Sequence, residues 1–440
     1  MSYHRRALGK NVIVVGGGLA GLAASIYLAR AGKSVTIFER RRYLGGRAIT
    51  HLRRGFRFNL GPHALYRAGG ASRVLRELGV PVRGGMPKVA GIALYRGDEY
   101  RLPVTPLSLL STSLLSFAAK REYAALMLRL RRLDTKQFAT LTIREWLDQN
   151  VRDETLRATI EALVRLSTYS ADAASQSAAV ALRQLQLASA NVTYVDEGWQ
   201  KLVDSLHSLA VAAGVNFVSS MRITAVLQSN GAVSGVELGG LELEDRNDTL
   251  SVALPDMAPE YQPGAKIPAT DVLLAVEPSS AAEMVRTGGG DEFADAWGSM
   301  QPVEATCLDV ALKSLPDPKT TFALGIDQPT YFSVHSASAQ LTPKGGALIH
   351  VMKYGARGDE HELEALLEQM QPGWREVLVH RRFLPAMTVS NALVTPGMKR
   401  PAPATPLRGL YLAGDWVGDE GVLSDAALLS SRAAAHAILG

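Results

Sequence analysis

The hydrophobic and polar positions of this 440-residue chain first form short apolar runs bounded by glycines. Such runs are typical of strands that are buried on both faces, as in a parallel sheet. The first is Asn11–Val15, and the second is Ser34–Phe38. Between them, residues 19–31 are small and apolar and end at Gly32, as expected for a packed helix. Strand, glycine turn, helix and strand in close succession predict a βαβ unit.

The remaining pattern predicts a helical segment and a second sheet. Residues 104–190 are mostly helical in pattern, and Thr142 with Glu145 has the spacing of a capping box. Further strands are predicted at 215–218, 222–227, 233–238, 272–275, 306–312, 347–352 and 411–413, and a final helix at 423–439. These elements predict an α/β fold in which a Rossmann-type βαβ domain is interleaved with an α+β region and a helical cap.

A glycine fingerprint lies between the first strand and the first helix. Gly16, Gly18 and Gly21 satisfy the pattern G-x-G-x-x-G. The first glycine allows a tight turn, the second lets backbone approach a pyrophosphate, and the third lets the helix pack closely on the strand. Glu39 follows the second strand, where its carboxylate can accept hydrogen bonds from an adenosine ribose. The unit therefore predicts a dinucleotide site, for either NAD or FAD.

A second glycine-containing segment follows Glu39. After Arg40 the chain reaches Gly45, Gly46 and Arg47. Their backbone amides and the guanidinium group would offer a further anion-binding element beside the dinucleotide. A flexible loop that carries a surface arginine is the alternative interpretation.

These two segments resemble the flavoprotein group that contains flavin amine oxidases, protoporphyrinogen oxidases and phytoene-type carotenoid desaturases. The likeness rests on Glu39 followed by Leu-Gly-Gly-Arg at 44–47, and on a strand that leads into Gly-Asp-Trp at 414–416. Gly-Trp-Gln at 198–200 and the strand around Ile223, expected to hold the adenine, match the middle region of the same group.

The resemblance implies that the cofactor is FAD, held non-covalently. The implied FAD-binding domain is discontinuous, with residues 1–85, 190–285 and 400–440. The substrate-binding domain has residues 86–189 and 286–399, and its helical part spans about 104–190. The residues expected to contact FAD are Gly16, Gly18, Leu19, Ala20, Gly21, Glu39, Arg40, Gly45, Gly46, Arg47, Gly61, Pro62, His63, Ile223, Gly414, Asp415, Val422 and Leu423.

The last strand and helix are expected to close the flavin end of the site. By the resemblance, Asp415 would bind the ribityl or pyrophosphate region, and amides near Val422 and Leu423 would face the pyrimidine edge. The helix dipole would stabilise negative charge on reduced flavin there. The chain departs from the group inside this helix, because Asp-Ala at 425–426 and Ser-Ser at 430–431 stand where Gly-Ala and Ser-Gly are common.

Candidate catalytic residues are few. Gly-Pro-His at 61–63 resembles the desaturase segment that passes beside the isoalloxazine ring. His63 could be an acid or base, or a polar group that positions substrate, and a structural histidine is an equally good interpretation. Tyr66 is the second catalytic candidate. His350 and Tyr354 flank a predicted strand, where surface or structural roles are expected.

Three features favour the carotenoid-desaturase branch of the group. Asp415 stands where amine oxidases typically have glutamate, and the predicted strand at 303–308 has no lysine to lie near flavin N5. Some monoamine oxidases link flavin covalently through a cysteine in their carboxyl-terminal part. Cys307 instead lies in that predicted strand and is expected to be a buried core thiol. We therefore expect an FAD-dependent desaturase or oxidase that acts on an apolar, isoprenoid-like or polyene molecule, with oxygen or a quinone as electron acceptor. A flavin amine oxidase, a protoporphyrinogen-type oxidase and a flavoprotein with structural FAD are the alternatives.

Charge and cysteine content limit the partners. The formal net charge is +5, but no basic stripe is interleaved with aromatic residues, so we expect no nucleic-acid partner. With Cys307 as the single cysteine, no intrachain disulfide can form, and we expect no metal site and a reducing, cytoplasmic compartment. The sequence gives no oligomeric state.

One uncharged stretch, residues 102–119, raises the question of a membrane. Its apolar residues recur at helical spacing, at Leu107, Leu110, Leu114 and Phe117. We favour a helix packed over the substrate cavity. The alternative is a helix that lies in a membrane interface, where the basic residues at 120–121 would add attraction to anionic lipid.

Overall fold

Two β-sheets of different topology organise the chain. The computed structural model describes residues 11–88, 90–240, 261–290, 292–355 and 358–440. The strands are β1 (Asn11–Val15), β2 (Ser34–Phe38), β3 (Thr50–Arg53), β4 (Phe56–Asn59), β5 (Leu65–Tyr66), β6 (Gly84–Gly85), β7 (Ile92–Tyr95), β8 (Asp98–Arg101), β9 (Val192–Val195), β10 (Asn216–Val218), β11 (Ile223–Ser229), β12 (Ala232–Leu238), β13 (Lys266–Pro268), β14 (Asp271–Leu274), β15 (Val303–Leu312), β16 (Phe322–Gly325), β17 (Thr330–Val334), β18 (Ala347–Tyr354), β19 (Leu378–Ser390) and β20 (Leu410–Leu412). The helices are α1 (Leu19–Arg30), α2 (Gly70–Leu78), α3 (Pro106–Ser111), α4 (Phe117–Leu130), α5 (Ile143–Asn150), α6 (Glu154–Thr168), α7 (Ala178–Ala188), α8 (Gln200–Ala212), α9 (Pro278–Thr287), α10 (Asp295–Gly298), α11 (Glu360–Met370) and α12 (Leu423–Leu439).

The first sheet is parallel, with the strand order β10-β2-β1-β14-β20. Strand β1 lies at its centre, which explains why Val12, Ile13 and Val14 are apolar and fully buried. Helix α1 packs against α8 and α12, and α12 also packs against α2. The predicted βαβ unit is present as β1, α1 and β2. The strands predicted near 272–275 and 411–413 join the same sheet as β14 and β20, so segments far apart in sequence build it.

The second sheet has the strand order β19-β15-β18-β17-β16-β7-β8 and is antiparallel except where β16 pairs with β7. Alternate residues of its strands point to opposite faces. Leu308 and Val310 pack with α11 in one apolar core. Cys307 and Met352 pack in another core with α5, α6 and α7, which form the helical cap. The predicted combination of a Rossmann-type sheet, an interleaved second sheet and a helical cap is therefore present.

Smaller sheets connect these parts. Strands β11, β12 and β13 form one, β3 and β4 form a hairpin, and β9 pairs with both β5 and β6. The chain crosses between the two large sheets several times, because β7 and β8 precede β10 in sequence but belong to the second sheet. The residue limits of the two domains given above stay a prediction.

The prediction of one continuous helix near 102–119 is wrong. Thr105 and Ser108 form a capping box that begins α3, and the side chain of Ser116 caps a new helix, α4. Helix α3 ends at Ser111, because Thr112 is extended, and the next helix begins only after Ser116, so the apolar residues do not share one buried face. Leu114 is buried, whereas Leu107, Leu110 and Phe117 are 71%, 75% and 77% exposed. Among the described helices, none has the length and apolarity needed to cross a bilayer.

Candidate dinucleotide and flavin site

A cavity of about 580 Å³ opens at the carboxyl ends of the parallel strands. Val15, Phe38, Ala275 and Gly414, each at or just beyond the end of a strand of the first sheet, line it. This edge is where ligands bind in open α/β sheets. Residues 384–389 of β19 form part of the opposite lining, so the cavity lies between the two sheets.

The glycine fingerprint forms a cradle with the shape that a dinucleotide needs. Gly16 has φ +104°, and a Cβ there would lie 2.6 Å from the carbonyl oxygen of Ala275. A Cβ at Gly21 would overlap the carbonyl oxygen of Gly16, so the start of α1 packs directly on the turn. A Cβ at Gly18 would meet nothing closer than the carbonyl oxygen of Gly45, at 3.9 Å, so this backbone is open to the cavity. The Gly45 amide donates to the carbonyl of Gly17 at 2.9 Å, which brings the two predicted glycine segments together.

Backbone amides hold Glu39 on both carboxylate oxygens. Oε2 accepts from the amide of Gly17 at 2.7 Å, and Oε1 accepts from the amide of Arg41 at 3.0 Å. Burial raises the pKa of the Glu39 carboxyl, and the two hydrogen bonds from backbone amides oppose that shift. Glu39 lines the cavity together with Arg40 and Ile223. Each carboxylate oxygen keeps a second lone pair, so the predicted hydrogen bonds to ribose hydroxyls can form.

Arg47 and Asp415, predicted as separate cofactor contacts, form an ion pair with each other. Arg47 Nη2 lies 2.8 Å from Asp415 Oδ2, and Arg47 Nη1 donates to the carbonyl of Val389 at 2.8 Å. Asp415 also accepts from the backbone and side-chain amides of Asn391, at 3.0 and 2.8 Å. Burial alone would raise the pKa of the Asp415 carboxyl, but Arg47 and Asn391 outweigh burial and hold the pKa below its ordinary value. Asp415 is therefore an anion that joins β20 to the end of β19.

Asn391 and Arg400 contact the Asp415 segment at this end of the cavity, and the sequence does not reveal either contact. Asn391 lines the cavity, and Arg400 is buried and donates to the carbonyls of Asp415 and Gly421 at 3.1 and 2.9 Å. No local motif marks either residue. They are recognised only because the fold brings the segment after β19 beside the loop that follows β20.

The amino-terminal turn of α12 opens on the cavity. Leu423 and Ser424 are among the lining residues, whereas Val422 is not. The positive end of this helix can stabilise negative charge. The departure at residue 425 also has a structural explanation, since Asp425 Oδ1 accepts from the backbone amide of Ala71 at 2.8 Å. Asp425 thus contacts the start of α2 rather than the cavity.

His63 lines the cavity, and its ring nitrogens contact backbone oxygens. Nδ1 lies 3.1 Å from the carbonyl oxygen of Gly61, and Nε2 lies 3.1 Å from that of Arg47. The ring also packs edge-to-face on Trp199, with centroids 4.9 Å apart. Burial lowers the pKa of His63 to about 4, so the ring is neutral near pH 7. This geometry favours a positioning role for His63 over proton transfer.

Tyr66 lies outside the cavity lining, and Tyr169 lies in it. The Tyr66 hydroxyl donates to the carbonyl of Ser167 at 2.7 Å, and burial raises its pKa. Tyr169, which the sequence does not single out, follows α6 in a left-handed conformation with φ +62°. Its hydroxyl donates to the carbonyl of Pro62 at 3.1 Å. The helical cap therefore reaches the segment that carries His63 through Tyr169.

A buried polar cluster lies in the second sheet and joins β15 to its two neighbours, β18 and β19. Asp309 pairs with His350 on one side, with Oδ1 2.6 Å from Nδ1, and with Arg382 on the other, with Oδ2 3.2 Å from Nε. Cys307 is a buried free thiol, as predicted, and donates to Asp309. Cys307, Asp309 and His350 place possible metal ligands within 4.8 Å of one another. The guanidinium of Arg382 already neutralises the carboxylate, and its charge opposes a cation there.

The fold and the cavity define a flavoprotein oxidoreductase class, in which a Rossmann-type cradle and a carboxyl-terminal strand and helix enclose one cofactor. A sequence model of the family described as flavin containing amine oxidoreductase matches residues 19–252, more than half of the chain. The chain belongs to the flavin containing amine oxidoreductase family, and FAD is its cofactor. The open Gly18 backbone, the carboxylate of Glu39 and the α12 terminus fit that cofactor.

Individual relatives agree with this assignment. The 4,4'-diaponeurosporene oxygenase of Staphylococcus aureus (strain USA300) is 45% identical over 56 residues, which are 13% of this chain and 11% of that relative. The similarity to this relative thus covers only a small part of its length. It supports the predicted likeness to the carotenoid-desaturase branch.

Solved structures share the fold over nearly the whole chain. An oxidoreductase from Methanosarcina mazei has a TM-score of 0.72 and 18% identity, and the match covers 96% of this chain and 99% of that one. Cyclohexylamine oxidase from Brevibacterium oxydans IH-35A has a TM-score of 0.67 and 13% identity, with 98% and 100% covered. At these identities the likeness is one of fold, and it confirms the predicted fold class.

Proposed function

We propose that this chain is an FAD-dependent oxidase or desaturase that removes hydride from a C–H bond of an apolar small molecule. The observation that carries the proposal is the mixed lining of one cavity. The cavity that contains the dinucleotide cradle is also lined by the apolar residues Leu60, Pro62, Leu384 and Met387. An apolar substrate would be held against these residues while the cofactor site lies next to it.

The residues of the chain would bind the cofactor, orient the substrate and exclude water, while bound FAD supplies the hydride acceptor. Amides at the start of α1 would hold the pyrophosphate, and Glu39 would hold the ribose. The start of α12 would stabilise negative charge. His63 would position the substrate rather than take its proton, because its pKa is low and both ring nitrogens contact carbonyls.

Attachment of FAD is proposed to be non-covalent. Cys307, the only cysteine, is fully buried in β15, and its thiol donates to Asp309. Burial raises the pKa of this thiol far above its ordinary value, which disfavours the thiolate that a covalent link would require. Oxygen or a quinone would accept the electrons, and a cytoplasmic location is expected.

A flavin amine oxidase is the alternative function. Tyr169 supports it, because a phenol in the cavity lining could pack against an amine substrate. The absence of lysine from the sequence of β15 opposes it. A protoporphyrinogen-type oxidase and a flavoprotein with structural FAD would use the same cradle.

Anaerobic bleaching of the FAD-loaded protein tests these functions directly. The purified protein would be mixed without oxygen with a polyene, with a primary amine and with a porphyrinogen, and the visible flavin absorbance followed. We expect bleaching by the polyene only. Bleaching by the amine would overturn the apolar-substrate proposal in favour of an amine oxidase. Bleaching by the porphyrinogen would favour a protoporphyrinogen-type oxidase, and no bleaching by any of the three would favour structural FAD.

We also propose that the chain contacts anionic membrane surfaces through an apolar patch, defined as Leu107, Leu110 and Phe117. The three side chains are exposed on α3 and α4. Lys120 Nζ donates to the carbonyl of Leu110 at 2.9 Å, which places a basic residue at the edge of the patch. Exposed apolar side chains with a basic rim are typical of interfacial membrane binding.

Vesicle sedimentation tests the membrane proposal. We expect the chain to sediment with vesicles that contain phosphatidylglycerol, and less with phosphatidylcholine alone. Replacing Leu107, Leu110 and Phe117 by Ser should abolish sedimentation. Val211→Ser removes an exposed apolar side chain on α8 and serves as the control. If the triple variant and Val211→Ser sediment equally with the anionic vesicles, the apolar patch is not the membrane contact.

A further inference from the structure

Asp425 is a buried carboxylate in the first turn of α12. Its side chain is 1% exposed, and Oδ1 accepts from the amide of Ala71, the second residue of α2. Gly69, at the N-cap of α2, has no side chain with which to cap that helix. Asp425 therefore caps α2 from a different helix. A Cβ at Gly69 would overlap both carboxylate oxygens, so the glycine makes room for the contact.

The contact between Asp425 and α2 fixes the backbone beside the cofactor cavity. Leu423 and Ser424, directly before Asp425, line that cavity. Leu423 has φ +56°, a conformation that a leucine adopts only when its surroundings impose it. A Cβ at Gly421 would lie 2.9 Å from the Cβ of Asp425. The turn that enters α12 is thus packed against the aspartate.

The surroundings of Asp425 leave its charge weakly compensated. Oδ2 has no hydrogen-bond partner among the described residues. The charged groups that face it are Arg73 of α2 and Arg183 of α7, and Tyr66 of β5 is the nearby phenol. Burial raises the pKa of Asp425 to about 6, although the amides of α2 and both arginines oppose the shift. The carboxyl group therefore gains or loses its charge near pH 6.

We propose that Asp425 is a positioning residue that acts through the start of α12 on the reduction potential of bound FAD. The size of this effect changes with pH. The start of α12 carries a positive partial charge that favours an anion in the cavity. An ionised Asp425 in the same turn cancels part of that charge, and a buried charge is poorly screened by salt. Protonation of Asp425 restores the full effect of the helix. The inference rests on the proposed binding of FAD at this terminus.

Redox titration of two variants tests the inference. Asp425→Asn keeps an acceptor for the Ala71 amide but cannot ionise, and Asp425→Gly carries the residue common in the related flavoproteins. Both would be compared with wild type at pH 5 and pH 8 by measuring the midpoint potential of the bound FAD. At pH 8 we expect a more positive potential in both variants, and at pH 5 we expect no difference.

Glu420→Gln is the matched control, because it removes a neighbouring carboxylate that is exposed and faces Arg73 at 4.0 Å. This variant should follow wild type at both pH values. A variant potential equal to wild type at pH 8, or a difference of equal size at both pH values, would overturn the tuning role and leave only capping. Failure of wild type to bind FAD would instead refute the cofactor assignment. If Asp425→Asn does not fold, the Asp425→Gly titration alone decides between these outcomes.

Discussion

Asp415 and Asp425 are two buried carboxylates on either side of the turn between β20 and α12, and they behave in opposite ways. Asp415 pairs with Arg47 and accepts two hydrogen bonds from Asn391. Asp425 accepts from backbone amides of α2, and one of its oxygens has no partner among the described residues. The pKa of Asp415 is lowered, and that of Asp425 is raised to about 6. Partners rather than depth of burial therefore decide which carboxyl is ionised.

This difference divides the work at the flavin end of the cavity. Asp415 is a permanent anion that ties the Gly45–Arg47 segment, β19 and β20 together. Asp425 is a titrating group that holds α12 on α2. Since both lie close to the proposed flavin position, substitution of each carboxylate in turn tests the comparison directly.

Asp415→Ala should cause the largest loss of stability. It leaves Arg47 and Asn391 without their acceptor, and breaking a buried ion pair from one side costs about 3–5 kcal/mol. We expect about 3 kcal/mol, at the lower end, because the Arg47 side chain is 41% exposed and its charge can be partly solvated. Urea denaturation of the variant and wild type measures this loss. FAD retention should fall as well.

The pH dependence of that loss has a definite sign. The pKa of Asp415 is lowered in the folded protein, so its stabilisation is present above the ordinary pKa of an aspartate and disappears as the pH falls through the folded value. The gap between variant and wild type should therefore persist at pH 8 and narrow in acid. Asp419→Ala, in the exposed part of the same loop, is the control and should unfold like wild type. A gap that widens in acid would contradict the ion pair.

Asp425→Asn should have the opposite effect on stability. The pKa of Asp425 rises from 3.8 to about 6 on folding, so wild type loses stability as the pH rises between these values. The loss amounts to about 3 kcal/mol once the carboxyl is ionised in both states. The asparagine variant should thus be more stable than wild type at pH 8, with a gap that closes toward pH 4. Destabilisation at every pH would show that the carboxylate is needed as a charged cap.

Tyr169→Phe and Tyr66→Phe form a pair with smaller effects. Each removes one hydroxyl that donates to a backbone carbonyl, of Pro62 and of Ser167 respectively, at a cost of about 1 kcal/mol. Thermal unfolding should shift similarly in both. Because only Tyr169 lines the cavity, the flavin absorption and fluorescence of the loaded protein should change in that variant alone. A spectral change in Tyr66→Phe of equal size would contradict the assignment of the cavity wall.

The dinucleotide cradle could be predicted because its chemistry is local in sequence. The turn at Gly16–Gly18, the helix that follows and Glu39 at the end of β2 are close along the chain, and glycine spacing reports their geometry. The strands of the first sheet could be predicted for a similar reason, since β1 and β14 are short runs buried on both faces.

The flavin end could be predicted only in part. Asn391, Arg400 and Tyr169 reach the site through tertiary contacts with distant segments, and no spacing pattern reports such contacts. The ion pair between Arg47 and Asp415 was hidden for the same reason. The break between α3 and α4 could not be predicted, because hydrophobic periodicity alone does not show that Thr112 is extended and that Ser116 begins a new helix.

One cavity, lined by residues between 15 and 64 and between 384 and 427 together with middle segments, is proposed to hold FAD without a covalent bond. The direct measurement is the visible absorption spectrum of the purified protein, followed by acid precipitation and a spectrum of the supernatant. We predict flavin bands in the protein and their full recovery as FAD in the supernatant. Flavin that stays in the pellet would contradict non-covalent attachment. A protein without flavin bands that does not take up added FAD would contradict the claim as a whole.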